Sequence, residues 1–245
     1  MVPAAATGAG TVLIRDREER LVSKKRVMLS WSSGKDAAWT LHTLQHEPGI
    51  ELVGLFCTVN KSFDRVAVHG VRIELLVLQA ERVGLPLELI EIPYPCSNEI
   101  YEKAMSSFIE KAKTLDIDCF AFGDLFLDDI RNYREEQLTG TGITPIFPIW
   151  GIPTDELAKT MIRHGLKAVI TCLDPKQMPR HFAGREYDES FLNDIPDNVD
   201  PCGENGEFHS YVFDGPIFDR PINISVGEVV DRDGFVFADV AEKFA

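Results

Sequence analysis

The stretch Arg26-Val27-Met28-Leu29-Ser30-Trp31-Ser32-Ser33-Gly34-Lys35-Asp36-Ala37-Ala38 decides how this chain is read. An apolar run gives way to small polar residues, one glycine, a lysine and an aspartate, and a helical pattern follows at once. That order predicts a strand, a tight turn and a helix. A helix leaves its first N–H groups unpaired and is positive at its N-terminus, so such a turn is suited to holding phosphate. Small residues at Ser30, Ser32, Ser33 and Gly34 let a ligand approach the backbone, Lys35 adds charge, and Ala37 continues the first helical turn. Asp36 suits that turn too, and is the candidate to help hold a magnesium ion. An ordinary capped strand-to-helix junction uses the same residue types. The turn is not the G-x-x-x-x-G-K-[ST] loop, because Leu29 stands where its first glycine would be.

Outward from this turn, strands and helices alternate. Glu51–Thr58 reads as a buried strand, His69–Val83 as a helix ending at Gly84, and Leu87–Ile92 as a strand. Asn98–Leu115 is an amphipathic helix, Asp118–Phe122 a strand closing on Gly123-Asp124, and Asp128–Leu138 a helix. Thr144–Ile149 is extended, Thr154–His164 helical and Ala168–Leu173 a strand. Alternation of this kind predicts an α/β fold, a doubly wound parallel sheet covered on both faces. From Pro175 to Gly206 proline, glycine, aspartate and asparagine become dense, and short strand-like runs follow at Phe208–Phe213, Ile222–Val230 and Phe235–Val240. The expected organisation is an N-terminal extension over residues 1–25, a nucleotide-binding domain over 26–147, and a smaller α+β domain for substrate over 148–245.

Composition narrows the function. A formal net charge of -14 argues against a broad nucleic-acid-binding face, which needs clustered Lys and Arg. The five cysteines, Cys57, Cys96, Cys119, Cys172 and Cys202, form no C-x-x-C pair, so a zinc ribbon or thioredoxin motif is not indicated. Unpaired spacing fits reduced cytosolic thiols. Neither a signal-peptide core nor a long apolar run is present, so the cytoplasm is the expected location and no membrane contact is expected. A homodimer is compatible with the sequence, which does not fix the oligomeric state.

Further candidates lie at strand ends and in one acidic turn. Glu204-Asn205-Gly206-Glu207-Phe208-His209 places two carboxylates and an imidazole around an Asn-Gly turn. Such groups can take a proton from an attacking amine or help orient Mg²⁺, or they can simply be solvated. Gly123 and Asp124 end a predicted strand, where a side chain faces the ligand crevice of an α/β sheet or caps the next helix. Asp174 is a weaker candidate of the same kind. Trp31, Trp39 and Trp150 read as packing residues, and Cys172 and Cys202 as small hydrophobes.

Ser32-Ser33-Gly34-Lys35-Asp36 resembles the S-G-G-x-D-S pyrophosphate loop of the PP-loop ATP pyrophosphatases, in the S-x-G-K-D form of the diphthine–ammonia ligase family. The segments Gly123–Asp129, Pro148–Gly151, Cys202–His209 and Asp214–Phe218 are similar to further signatures of that family, in the same order. The resemblance implies a PP-loop nucleotide-binding fold. It implies ATP and Mg²⁺ as cofactors, ammonia and a carboxylate as partners, and a substrate site around Glu204, Glu207 and His209. By the same resemblance Lys35, Asp36 and Asp124 take part in catalysis, and Thr58 lies near the adenine, where His69 can also face the nucleotide. The forms Glu204–His209 and Phe126–Asp129 look more like bacterial relatives of the family, and the carboxylate stays open between protein-borne diphthine and a small metabolite.

Two positions depart from the pattern: Ser33 replaces a glycine, and Ala37 a serine whose hydroxyl is worth about 1 kcal/mol to a phosphate contact. The second loss bears on rate more than on affinity. The expected activity is an ATP-dependent ligase that makes an amide through an acyl-adenylate. The alternatives are an ATP-binding sensor without turnover, which Ala37 favours, and a sulfur-transfer enzyme acting on transfer RNA, which the charge and the lack of paired cysteines oppose.

Overall fold

The computed structural model describes residues 24–60, 65–66 and 70–243. His69 and nearly all of the extension read over 1–25 lie outside them. Five strands make a parallel sheet: β1 (Lys25–Ser30), β2 (Ile50–Asn60), β4 (Leu87–Ile92), β5 (Cys119–Ala121) and β6 (Thr144–Ile146). A two-residue strand, β3 (Arg65–Val66), adds antiparallel to the end of β2. In space the parallel strands run β4-β2-β1-β5-β6. The chain therefore leaves β1 in one direction and returns to its other side, so strand order reverses between β1 and β5. In open α/β sheets the crevice beyond the carboxyl ends at such a reversal is where ligands sit.

The apolar alternation along these strands sorts side chains onto two faces. Val27, Leu29, Leu55, Cys57, Val59, Cys119 and Ala121 join one core, with Leu41 and Leu44 of α1 (Lys35–Gln45) and Leu75 and Leu76 of α2 (Ile73–Val83). Met28, Phe56, Ile90, Phe120 and Phe122 join the other, with Phe108 and Ile109 of α3 (Asn98–Thr114) and Leu138 of α4 (Asp128–Leu138). Helices thus cover both faces, and the sheet is doubly wound.

The second sheet is antiparallel, in the order β8-β7-β10-β9, built from β7 (Lys167–Leu173), β8 (Phe208–Asp214), β9 (Ile224–Arg232) and β10 (Phe235–Glu242). It follows α5 (Thr154–Arg163). The strand read over Ala168–Leu173 ends the run of helix-strand alternation, yet β7 pairs antiparallel with β8 and β10 instead of extending the parallel layer. Its residues from Ala168 onward are all buried, so the residue pattern alone does not distinguish the two settings. The stretch dense in proline and glycine contains a 3₁₀ turn (Arg180–Phe182) and α6 (Glu189–Asp194), which starts where the Asp188 carboxylate accepts the Phe191 N–H at 2.7 Å. Helix α2 begins at Ile73 rather than His69. Among the described residues no helix is long and apolar enough to cross a membrane.

Candidate active site

The turn after β1 places its small residues under tight constraint. Ser33 sits in the left-handed region (φ 71°), fully buried, and its Oγ has no hydrogen-bond partner. Gly34 then takes an extended conformation as the residue before α1, with no side-chain cap of its own. The cap comes from far along the chain: the Lys35 N–H donates to Ser210 Oγ of β8 at 3.2 Å. A Cβ on Gly34 would lie 3.2 Å from the Ser210 carbonyl oxygen, a tight contact that β8 would have to ease by a few tenths of an ångström, so glycine lets β8 lie close against the turn. On the other flank a Cβ on Gly123 would lie 3.0–3.1 Å from the backbone of Asp36 and Ala37. Only a glycine lets the end of β5 meet the first turn of α1 this closely.

A buried amide holds the turn from behind. Gln79 of α2, wholly inaccessible, donates through Nε2 to the carbonyls of Ser33 (3.0 Å) and Val212 (2.6 Å). Its Oε1 accepts the Trp31 indole N–H at 2.9 Å. The Val212 N–H in turn donates to Ser33 O at 3.0 Å. Trp31 is packed, as its residue type predicts, but its polar edge is part of this network. Gln79 carried no sequence signal, because it looks like any polar position of an amphipathic helix.

Ser30, Ser32, Gly34, Lys35, Asp36, Ala37, Gly123, Asp124, Glu204 and His209 line one cleft of about 220 Å³ at the carboxyl ends of β1 and β5. Ser33 lies buried just beneath it. Lys35 does not point freely outward: it is 2% exposed, its Nζ donates to Asp36 Oδ2 at 2.8 Å and to the Cys202 carbonyl, and it rests 5.2 Å from the Phe208 ring centre. Burial works to lower its pKa. The charge and hydrogen bond of Asp36, with Cys202 and Glu204, outweigh that and hold it above its ordinary value, so the ammonium stays charged. The second Asp36 oxygen, Oδ1, is buried without a hydrogen-bond partner.

The acidic turn faces this pair. Glu204 Oε1 accepts the Leu125 N–H at 2.7 Å, and the Glu204 N–H donates to Asp200 at 2.9 Å. Burial pushes the Glu204 carboxyl up to about 7; the Leu125 N–H opposes this, and the charges of Asp36 and Asp124 add to it. Glu207 is placed differently. It is 1% exposed, lies outside the cleft lining, and its Oε1 accepts from the Asp200 N–H and the Asn205 amide, both at 3.0 Å, bracing the turn from within. Of the Asn-Gly pair only Gly206 takes a positive φ, 83°.

Asp124 reaches the cleft while forming a bidentate pair with Arg134 of α4, at 2.5 and 3.1 Å. Arg134 and Ser210 also line the cleft and were not singled out in the sequence, since each is brought in from a separate element. Thr58 of β2 pairs with Ile90 of β4 and does not line the cleft. Asp174 caps its own turn, accepting from the Lys176 N–H at 2.9 Å and the Gln177 amide at 3.1 Å. Burial pushes the Cys172 thiol up to about 12 and Cys202 higher still, so both stay protonated.

A parallel sheet with its nucleotide-type turn at the order reversal, faced by an acidic turn from a second, antiparallel sheet, defines an α/β protein of PP-loop type. The chain belongs to the diphthamide synthase family: residues 25–143 match the diphthamide synthase N-terminal domain and residues 153–241 the C-terminal domain. It is similar to the diphthine–ammonia ligases of Bos taurus and Homo sapiens, each 25% identical over 179 residues, or 67% of this chain and 67% of the relative. The enzyme of that name from Mus musculus is 26% identical over 134 residues, covering 51% of this chain and 49% of its own length.

Proposed function

We propose that the chain is an ATP-dependent ligase that joins a carboxylate to ammonia through an acyl-adenylate. The observation that carries this reading is the meeting, in one cleft, of the turn after β1 with the Glu204 turn. The first is suited to the phosphates of ATP, the second to the incoming nitrogen. Membership of a family whose similar members are named diphthine–ammonia ligases supports it. In this scheme a carboxylate oxygen attacks the α-phosphorus and pyrophosphate leaves. Ammonia then attacks the acyl carbon and AMP leaves.

The residues divide that work. The first turn of α1, with the charged Lys35 beneath it, holds the leaving pyrophosphate by positive potential already in place. Lys35 also ties the turn to the Cys202 carbonyl, which fixes the Glu204 turn opposite. Glu204, titrating near neutrality, takes the proton that the nitrogen loses as it bonds to carbon. His209 lines the same cleft, and Asp124 sets Arg134 at its edge. Glu207 acts on the site by holding the turn in shape.

The fit to magnesium rests on Asp36. Its Oδ1 is buried and unpartnered, while no group of three or more ligating side chains stands together among the described residues. A buried carboxylate oxygen with no partner is a hard donor of the kind magnesium takes, so Asp36 is the residue that would hold it. Mg²⁺ bound there would neutralise charge on the phosphates.

The acid is either a protein-borne diphthine or a small metabolite. The test is to supply ATP, ammonia and a panel of acids to the purified chain and to follow the nucleotide. AMP and pyrophosphate formed one for one with amide are expected; ADP and phosphate would overturn attack at the α-phosphorus. ATP binding with no AMP from any acid would instead favour the sensor reading, to which Ala37 lends its one observation.

A further inference from the structure

The division of work above leaves Arg134 in the cleft wall without a task of its own. Lys35 is buried and tied to Asp36 and the Cys202 carbonyl, so its charge stays beneath the turn. Arg134 is placed otherwise. It lines the cleft from α4, with its side chain 26% exposed. Its Nε and Nη2 grip the two Asp124 oxygens at 2.5 and 3.1 Å, and its guanidinium carbon lies 4.3 Å from the centre of the Phe122 ring. Phe122 and Asp124 flank Gly123, whose missing side chain brings this segment against the backbone of Asp36 and Ala37. The arginine is therefore carried by the same short segment that touches the phosphate turn.

A guanidinium gripped along one edge keeps its other edge for a ligand. Arg134 Nη1 makes no hydrogen bond among the described residues, yet it is not buried. An arginine ordered in this way loses little freedom on meeting an anion, and its planar donors match phosphate oxygens. The proposed reaction has a place for such a group. Attack at the α-phosphorus forms a bond to the carboxylate oxygen and breaks the bond to pyrophosphate, which leaves with the electron pair. Charge gathers meanwhile on the two non-bridging α-oxygens, while the turn holds the phosphates beyond them. A fixed cation beside those oxygens stabilises that charge and weakens their repulsion of the incoming carboxylate.

We propose that Arg134 binds the α-phosphate of the nucleotide through Nη1, and that Asp124 is the positioning residue that aims it. This deepens the ligase reading above and rests on it. The test measures binding of adenosine, AMP and inorganic pyrophosphate to the full chain and to Arg134→Gln, Arg134→Lys and Asp124→Asn. AMP formation over the panel of acids is followed in the same proteins. A double variant, Asp124→Asn with Arg134→Gln, removes both charges together and carries the same expectation as Arg134→Gln should the lone carboxylate upset folding.

In the wild-type chain AMP should bind about ten-fold or more tighter than adenosine. Arg134→Gln should cancel that advantage, Arg134→Lys should keep part of it, and Asp124→Asn should lose part of it. Adenosine and pyrophosphate should stay within about two-fold throughout, since neither carries the α-phosphate. An equal loss for all three probes would reduce Arg134 to a support of the cleft and overturn the contact. An AMP advantage unchanged in Arg134→Gln, or absent from the wild-type chain, would overturn it as well. The expected loss of AMP binding with no AMP formed from any acid would support the contact and strike the ligase reading alone. AMP formed by Arg134→Gln at the wild-type rate would overturn the contact and leave the ligase reading standing.

Discussion

Ser33 adopts a backbone conformation that costs a residue with a side chain about 1–2 kcal/mol, and it buries an unpaired hydroxyl as well. Both costs vanish in Ser33→Gly, offset in part by the greater freedom of glycine in the unfolded chain. A net gain of about 1 kcal/mol is expected, read as a higher denaturation midpoint in urea with an unchanged slope; no gain would mean that the turn is not strained. Glu204 carries a second test at this scale. Its carboxyl is pushed up to about 7, so AMP formation at saturating substrate should climb as pH rises through that value and then level. Glu204→Gln should lose most of the rate and that rising limb together. For stability the sign is the reverse. Between the ordinary carboxyl value and about 7 the folded chain keeps a proton that the unfolded chain releases, so this group's contribution falls as pH rises through the window. A variant with the same rising limb as wild type would remove Glu204 from the role.

The way α2 and β8 hold the turn between β1 and α1 explains what the sequence discloses and what it hides. The run from Leu29 to Ala38 is contiguous, and its small residues and glycine announce a turn without help. The strand-helix alternation up to Leu138 is equally plain, because each strand's two faces fill two separate cores. Gln79, Ser210 and Arg134 are invisible by comparison: Gln79 meets Val212 133 residues away, and Ser210 meets Lys35 across 175. Lys35 itself is legible as a charge beside the turn but not as the buried link to Cys202, since nothing in its neighbours tells of a carbonyl 167 positions later. Gln79→Leu tests this layer. It strips the partners from the Trp31 N–H and the Val212 carbonyl and weakens the tie to Ser33, so a loss of about 2–3 kcal/mol in stability is expected. ATP affinity should fall several-fold as the turn loosens. Unchanged ATP binding in a folded variant would show that the amide supports packing alone.

At the scale of the whole molecule, the two sheets share one core rather than touching as separate bodies. A single cluster of buried side chains runs from Val27 and Leu29 of β1, through Leu157 and Met161 of α5, to Val169, Ile170, Tyr211 and Val236 of the second sheet. The Lys35 link to Cys202 and the Ser210 cap on α1 cross the same boundary and carry the polar chemistry with them. Separating the sheets would expose that apolar surface and strand a buried ammonium, two large costs with nothing to offset them. The chain should therefore unfold in one cooperative step, with calorimetric and van't Hoff enthalpies equal. ATP at about 100 times its dissociation constant should then move the entire transition upward by about 2.7 kcal/mol of added stability. Two resolved transitions, only the earlier of them shifted by ATP, would show that the second sheet folds apart from the nucleotide site, and the cleft between Asp36 and Glu204 would lose the rigidity on which the proposed chemistry depends.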